Sequence, residues 1–385
     1  MKRLFLIAFL LLIALSGLSF SQGSKQNAQF DSLVFKGINR IYNIKFDEAE
    51  KVFKTVMADY PAHPAGRFFL AMIDWWKIML DVDNESYDDI FFAKLEDVIY
   101  QCDLILEKDP ADVDALFFKG GAIGFRGRLR AFRESWIKAA DDGREALPIV
   151  NRAYKLNPQN VDVQLGFGIY NYYASVIPQK YPIVKPLMVF FPSGDKEKGI
   201  QELADVAARG KYASTESKYF LMQLYYQFEE NFSKAEEYAR QLIQEYPDNP
   251  VFERYLGRIN VKKGDYFTAN SVFKDVLVKS DNKYPGYGDM ARREAAYYLG
   301  YYQKMRGQLD SALTYFTECE RLSRKVDGDN QTGWLANSLL YIGNISDQIG
   351  QRDKAVTYYK QVLDVKEFGS SHALAKEYLE RPFGK

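Results

Sequence analysis

The sequence predicts an all-α fold: an α-solenoid of antiparallel helical hairpins, about eight of them, with irregular, stretched units in the N-terminal half. Three observations lead there. The phrases YLGRINVKKGDYFTANSVF (255–273), YLGYYQKMRGQLDSALTYF (298–316) and YIGNISDQIGQRDKAVTYY (341–359) recur 43 residues apart when aligned on Gly257, Gly300 and Gly343. Three further columns stay in register with those glycines: Gly264, Gly307 and Gly350, then Ala269, Ala312 and Ala355, then Phe273, Phe316 and Tyr359. Prolines punctuate the chain before them, at Pro61, Pro110, Pro158 and Pro247.

Each column has a physical role. The second glycine can adopt the left-handed turn that stops a helix, so helix A of each hairpin ends there. Helix B follows, and its Ala and aromatic residue, four apart, share one face. The first glycine, midway along helix A, is expected to meet the Ala of helix B, with the ring filling the wider gap beside it. A proline after helix B prevents it from continuing. No single hairpin can bury its own apolar face, so neighbours must bury it. The pattern resembles the tetratricopeptide repeat, with a basic unit of about 34 residues; the linkers VKSDNKYPGYGD and SRKVDGDNQT stretch two units to 43. That resemblance covers nearly the whole chain after its leader and implies a binding scaffold.

Read along the chain, residues 1–21 form a signal peptide. Lys2 and Arg3 precede the apolar run Leu4–Leu15, and small residues at Ser19 and Ser21 mark the cleavage site. An uncleaved anchor is the other reading, although the run is short for a span of about 20 residues. Residues 22–210 hold irregular repeats, among them FKGINRIYNIKFDEAEKVF with Gly37, Ala49 and Phe53. Within them lies an apolar insert, 178–193, with four prolines and the run Pro186, Leu187, Met188, Val189, Phe190 and Phe191. It reads either as a turn packed over its neighbours or as a contact surface for a partner or a membrane. Residues 211–366 form the regular repeats, and 367–385 a capping helix and tail. The stretch Val163–Gly210, with NYYASVIP and FPSGDKEKGIQEL, also resembles the central module of a eukaryotic family of tetratricopeptide proteins associated with clearing inclusion bodies.

Composition narrows function by exclusion. Lys plus Arg and Asp plus Glu each number 51, so no net charge favours nucleic acid. Only His63 and His372 exist, which excludes a multi-histidine metal site. No phosphate-binding loop or nucleophile elbow is written, and no cofactor is implied. Cys102 and Cys319 sit at apolar helical spacing and read as buried thiols. Arg126, Arg128, Arg130 and Arg133 read as a solvated face or as a contact for acidic lipid or a partner.

The chain therefore reads as a non-catalytic exported scaffold that binds a protein or peptide in its concave groove. The alternative is an envelope or outer-membrane assembly factor, in peripheral contact with a membrane through the insert. In a tetratricopeptide fold, helix A lines the groove. Residues three before, one after and five after the central small residue share that face. This selects Arg254, Arg258 and Lys262, then Tyr297 and Tyr301 with Lys304 adjacent, then Asn344, with Phe220 and Phe228 from the preceding unit. A basic strip between aromatic shelves resembles the carboxylate-clamp groove of some tetratricopeptide proteins, and the partner implied is an acidic peptide.

Overall fold

The computed structural model describes residues 28–182, 185, 192–328 and 331–384. The expected signal peptide, 1–21, and the insert positions Pro186, Leu187, Met188, Val189, Phe190 and Phe191 lie outside the described residues. Among the described residues every regular element is helical. They fall into hairpins of one A and one B helix: α1 (28–42) with α2 (Phe46–Asp59), α3 (Ala65–Leu80) with α4 (Asp88–Lys108), and α5 (Val113–Phe132) with α6 (Trp136–Leu156). After the 3-10 turn Val161–Val163 come α7 (Gln164–Lys180) with α8 (Lys196–Arg209), and α9 (Ser214–Gln227) with α10 (Phe232–Glu245). Next are α11 (Pro250–Lys263) with α12 (Tyr266–Asp281), α13 (Asp289–Met305) with α14 (Leu309–Val326), and α15 (Gly333–Gln348) with α16 (Arg352–Asp364). A last helix, α17 (Ser371–Glu380), packs on the final hairpin. The architecture is an α-solenoid of antiparallel helical hairpins. The chain divides into two compact units, one ending at Ser217 and one beginning at Lys218.

In the first unit the extra residues of the irregular hairpins are taken up as helix. α4, α5 and α6 run for 21, 20 and 21 residues, against 14 for α2. α7 continues through Pro178 to Lys180, three residues into the span 178–193 expected to be the insert. α8 starts at Lys196, where the Asp195 carboxylate accepts the Lys198 N–H at 3.0 Å and caps the helix. His63 lies in the turn before α3, and its Nδ1 accepts the Ala65 N–H at 3.1 Å. His372 is the second residue of α17, with Nε2 2.9 Å from the Val365 carbonyl.

The repeat columns hold, with one difference. Gly264, Gly307 and Gly350 have φ of 77°, 72° and 79°, the left-handed turn between helix A and helix B. Ala269, Ala312 and Ala355 are buried, as are Phe273, Phe316 and Tyr359. The central glycine, however, is covered by the ring. A methyl group on Gly257 would lie 2.5 Å from Phe273 Cζ, on Gly343 2.4 Å from Tyr359 Cε1, and on Gly37 2.3 Å from Phe53 Cζ. The nearest neighbours of these glycines are aromatic carbons, not the alanine twelve residues on. Flat rings need a flat seat, and only a residue without Cβ offers one on a helix surface. Cys102 and Cys319 are buried free thiols, and burial pushes them up to about 12 and about 11 respectively.

Candidate functional site

In the second unit the A helices touch in sequence, α11 against α13 and α13 against α15. Their shared face carries most of the residues selected from the repeat. Its centre is aromatic. The Tyr297 ring lies 4.9 Å from Trp334, 5.9 Å from Phe316 and 6.1 Å from Tyr341, mostly edge to face. Tyr301 continues the row, 6.1 Å from Tyr341 and 5.9 Å from Tyr266. Burial raises the Tyr297, Tyr301 and Tyr341 hydroxyls above the ordinary tyrosine range, so they are neutral donors at any physiological pH.

Lys304 closes this row. Its ammonium lies 5.4 Å over Tyr341 and 5.2 Å over Phe383. Among the described residues no carboxylate reaches it, and burial alone depresses its pKa. A partly desolvated cation facing rings rather than an acid is the least compensated charge on this face. Lys262 is exposed at the end of α11.

The arginine strip is already satisfied. Arg254 Nε donates to Glu294 Oε2 at 2.8 Å, and Arg258 Nη2 donates to the same oxygen at 2.5 Å while its Nε reaches Oε1. Burial pushes the Glu294 carboxyl up, but the two guanidinium groups outweigh it and hold it at about 2. The two arginines therefore bolt α11 to α13, and the trio carries a net charge of one. Asn344 is buried, its Oδ1 accepting the Tyr359 hydroxyl at 3.1 Å. Phe220 is buried and Phe228 half-buried. The carboxylate clamp expected from Arg254, Arg258 and Asn344 is thus not laid open: all three side chains are committed within the fold. Tyr297, Tyr301 and Lys304 come together; Tyr341, Trp334 and Phe383 join them without having been selected. Tyr341 and Trp334 were within reach of the repeat, which sets α15 beside α13, whereas no periodicity points to Phe383.

The arginine run of the first unit is likewise internal, and this corrects its reading as a solvated or lipid-facing strip. Arg126 donates to Glu96, Asp142 and Glu145 at 2.7, 2.9 and 2.7 Å. Arg130 donates to Asp142 at 2.6 Å, and Arg133 to Asp88 at 2.6 Å and to the Val82 carbonyl at 2.6 Å. Arg128 stacks 4.7 Å from the Trp75 ring and faces Glu216 at 3.5 Å; Glu216 also accepts from Tyr42 and Trp76. Arg126 and Arg130, four residues apart, lie on one side of α5 and share Asp142, whereas Arg128 turns to the opposite side and meets Trp75 and Glu216.

Among the described residues no group of three or more His, Cys, Asp or Glu side chains is placed to hold a metal ion, and no helix is long and apolar enough to cross a membrane. Residues 160–327 match the family model Iml2/Tetratricopeptide repeat protein 39, and residues 337–365 match the tetratricopeptide repeat model. The chain is a tetratricopeptide-repeat protein. The family resemblance read over Val163–Gly210 is borne out and extends well into the regular repeats. Solved structures similar to this tetratricopeptide-repeat protein include pilF of Pseudomonas aeruginosa, 13% identical over 67% of this chain and 96% of that one, with a TM-score of 0.44. A tetratricopeptide repeat protein from Parabacteroides merdae is 14% identical over 80% of this chain and 98% of that one (TM-score 0.35). Human IFIT1, in a dimer with PPP-AAAA, is 12% identical over 84% and 69% (TM-score 0.39). A comparison with curated protein sequences finds no match.

Proposed function

We propose that this tetratricopeptide-repeat protein is a non-catalytic scaffold that docks a segment of a partner protein on the helix-A face of its second unit. The observation that carries this is the row Tyr297, Tyr301 and Tyr341 ending at Lys304, a cation over two rings with no carboxylate among the described residues. Aromatic rings offer large contact area at low entropic cost, and the ammonium favours an acidic group on the incoming segment. Since Arg254 and Arg258 already hold Glu294, the acid-binding role expected of them passes to Lys304, with Lys262 at the rim.

Export belongs to the same proposal, on the strength of Lys2, Arg3 and the apolar run Leu4–Leu15. The mature chain then begins at Gln22 and works outside the cytoplasm, in the periplasm or at the envelope. Sequencing the N-terminus of the protein recovered from its native cells checks this; a chain that retains Met1 refutes cleavage. The docking reading is tested by affinity capture from the cell envelope with wild-type protein and with Tyr301→Asp and Lys304→Glu. A partner retained by the wild type and weakened at least tenfold by either change, about 1.4 kcal/mol, supports it. Equal capture by all three proteins, with equal melting temperatures, removes this face from consideration.

A further inference from the structure

One end of the proposed docking face is already occupied, and by this chain itself. α17 ends at Glu380 because Pro382 has no N–H to continue it and forces the residue before it out of helical conformation. Arg381 is extended, with φ −128° and ψ 122°. The segment then turns back. The Phe383 N–H donates to Asp347 Oδ2 at 2.9 Å, and its ring lies under the Lys304 ammonium and 5.2 Å from Tyr378, edge to face. Gly384 follows with φ 81°.

Two features give this seat a chemistry. Asp347 is a buried carboxylate that also accepts from Tyr359 Oη at 2.9 Å and Arg352 Nη1 at 3.0 Å. A buried acceptor needs its donors, so a backbone N–H at the Phe383 position is part of what the seat requires. Lys304 supplies the second condition: its ammonium already lies over the Tyr341 ring, and a second ring placed beneath it adds a cation–π contact at the same point. Lys304 and Tyr341 belong to the face described above, and Asp347 lies six residues further along α15 from Tyr341.

We propose that the seat between Lys304 and Asp347 is a docking site for an aromatic side chain carried on extended backbone, filled in this chain by its own Phe383, and that a partner segment of the same chemistry displaces it. The displacement rests on the reading of this face as a docking surface; the seat itself does not. Phe383 competes from a short tether, so its effective concentration is in the millimolar range and a partner must exceed it.

The test uses a fluorescein-labelled peptide spanning Tyr378–Lys385 and three receptors: the full chain, the full chain with Phe383→Ala, and the chain ending at Glu380. Fluorescence anisotropy should show saturable binding to the last two, at least tenfold tighter than to the unaltered chain. A peptide carrying Phe383→Ala should bind at least tenfold more weakly. Circular dichroism melts confirm that each receptor is folded, and the Phe383→Ala receptor carries the test alone if the shortened chain is not. No binding to a folded receptor that lacks Phe383, or equal binding to all three, overturns the seat and leaves Phe383 as a structural cap. Photocrosslinking from Tyr301 then separates the two claims. Peptide binding with partner capture unchanged by Phe383→Ala overturns the displacement alone, whereas no partner crosslink from Tyr301 in any background overturns the docking face.

Discussion

The glycine–ring contact yields a prediction in which most confounding effects cancel. Gly257 and Gly300 occupy the same column, both inside helix A, and both substitutions to alanine gain about 1 kcal/mol of helix propensity. They differ in what the new methyl group meets. At Gly257 it would lie 2.5, 2.7 and 3.0 Å from three carbons of the Phe273 ring; at Gly300 the three closest atoms, all in the Phe316 ring, are 3.1, 3.1 and 3.2 Å away. An ordinary carbon–carbon contact is about 3.5–4.0 Å. The Gly300 ring must therefore move by a few tenths of an ångström, the Gly257 ring by about 1 Å. Phe273 is fully buried, and the Tyr298 ring is stacked on it at 4.6 Å, so it has little room to retreat. Overpacking of this kind costs about 1–3 kcal/mol. Gly300→Ala should be near neutral or slightly stabilising, and Gly257→Ala destabilising by about 1–2 kcal/mol relative to it. Urea titration followed at 222 nm measures both, with midpoints compared at equal slope. Adding Phe273→Leu to Gly257→Ala should recover part of the loss, because the clash and the ring disappear together. Equal midpoints for the two alanine variants would refute the ring-on-glycine packing.

The buried charges give three more expectations. Glu294→Gln leaves Arg254 and Arg258 without their shared carboxylate and should cost about 3–5 kcal/mol in a denaturant titration at pH 7. Glu294 is held at about 2 against 4.5 for the free side chain. Its contribution, about 3 kcal/mol, is therefore present above pH 4.5 and is lost as pH falls from about 4.5 to about 2; the glutamine variant should lack that limb of the acid-unfolding curve. Glu253 has the opposite sign. Burial, then Asp275, push it up to about 7 against the pull of Tyr287 and Lys279. Its folded form holds a proton that the unfolded form has released, so wild type should lose stability relative to Glu253→Gln as pH rises from about 4.5 to 7. A difference curve that is flat over this range contradicts the burial of Glu253. Finally, Arg254→Glu with Arg258→Glu should lower the melting temperature sharply, since it places three carboxylates together; an unchanged melt would mean these arginines are free in the groove after all.

Much of the fold was legible because the repeat states its own rules. A glycine followed by glycine, alanine and ring at constant spacing marks hairpin, turn and buried face without reference to anything distant. The detail that the ring, not the alanine, sits on the first glycine was not legible. Periodicity says which residues share a side of one helix, not how two helices slide past each other. The site shows the same divide. Tyr297, Tyr301 and Lys304 followed from position within α13, and they do share the face. Arg254 and Arg258 share it as well, but their acid is Glu294, 40 and 36 residues later, and no local pattern couples them. Asn344 is taken by Tyr359, whose ring sits over Gly343, so that loss follows from the same ring-on-glycine packing that periodicity does not give. The arginine run 126–133 is a similar case: Arg126, Arg130 and Arg133 do share one side of a helix, as a strip would, but their acids Glu96, Asp142, Glu145 and Asp88 come from elsewhere in the chain and no local pattern couples them.

The proposed docking function requires that a partner contact the helix-A face of the second unit. Site-specific photocrosslinking measures this directly. A photoreactive phenylalanine is placed at Tyr301 on that face, or at Thr314, exposed on α14, in protein expressed in its native cells. A discrete crosslinked partner band is expected from position 301, weakened by Lys304→Glu, and none from position 314. The same band from both positions, or a band from 314 alone, would contradict the proposed docking.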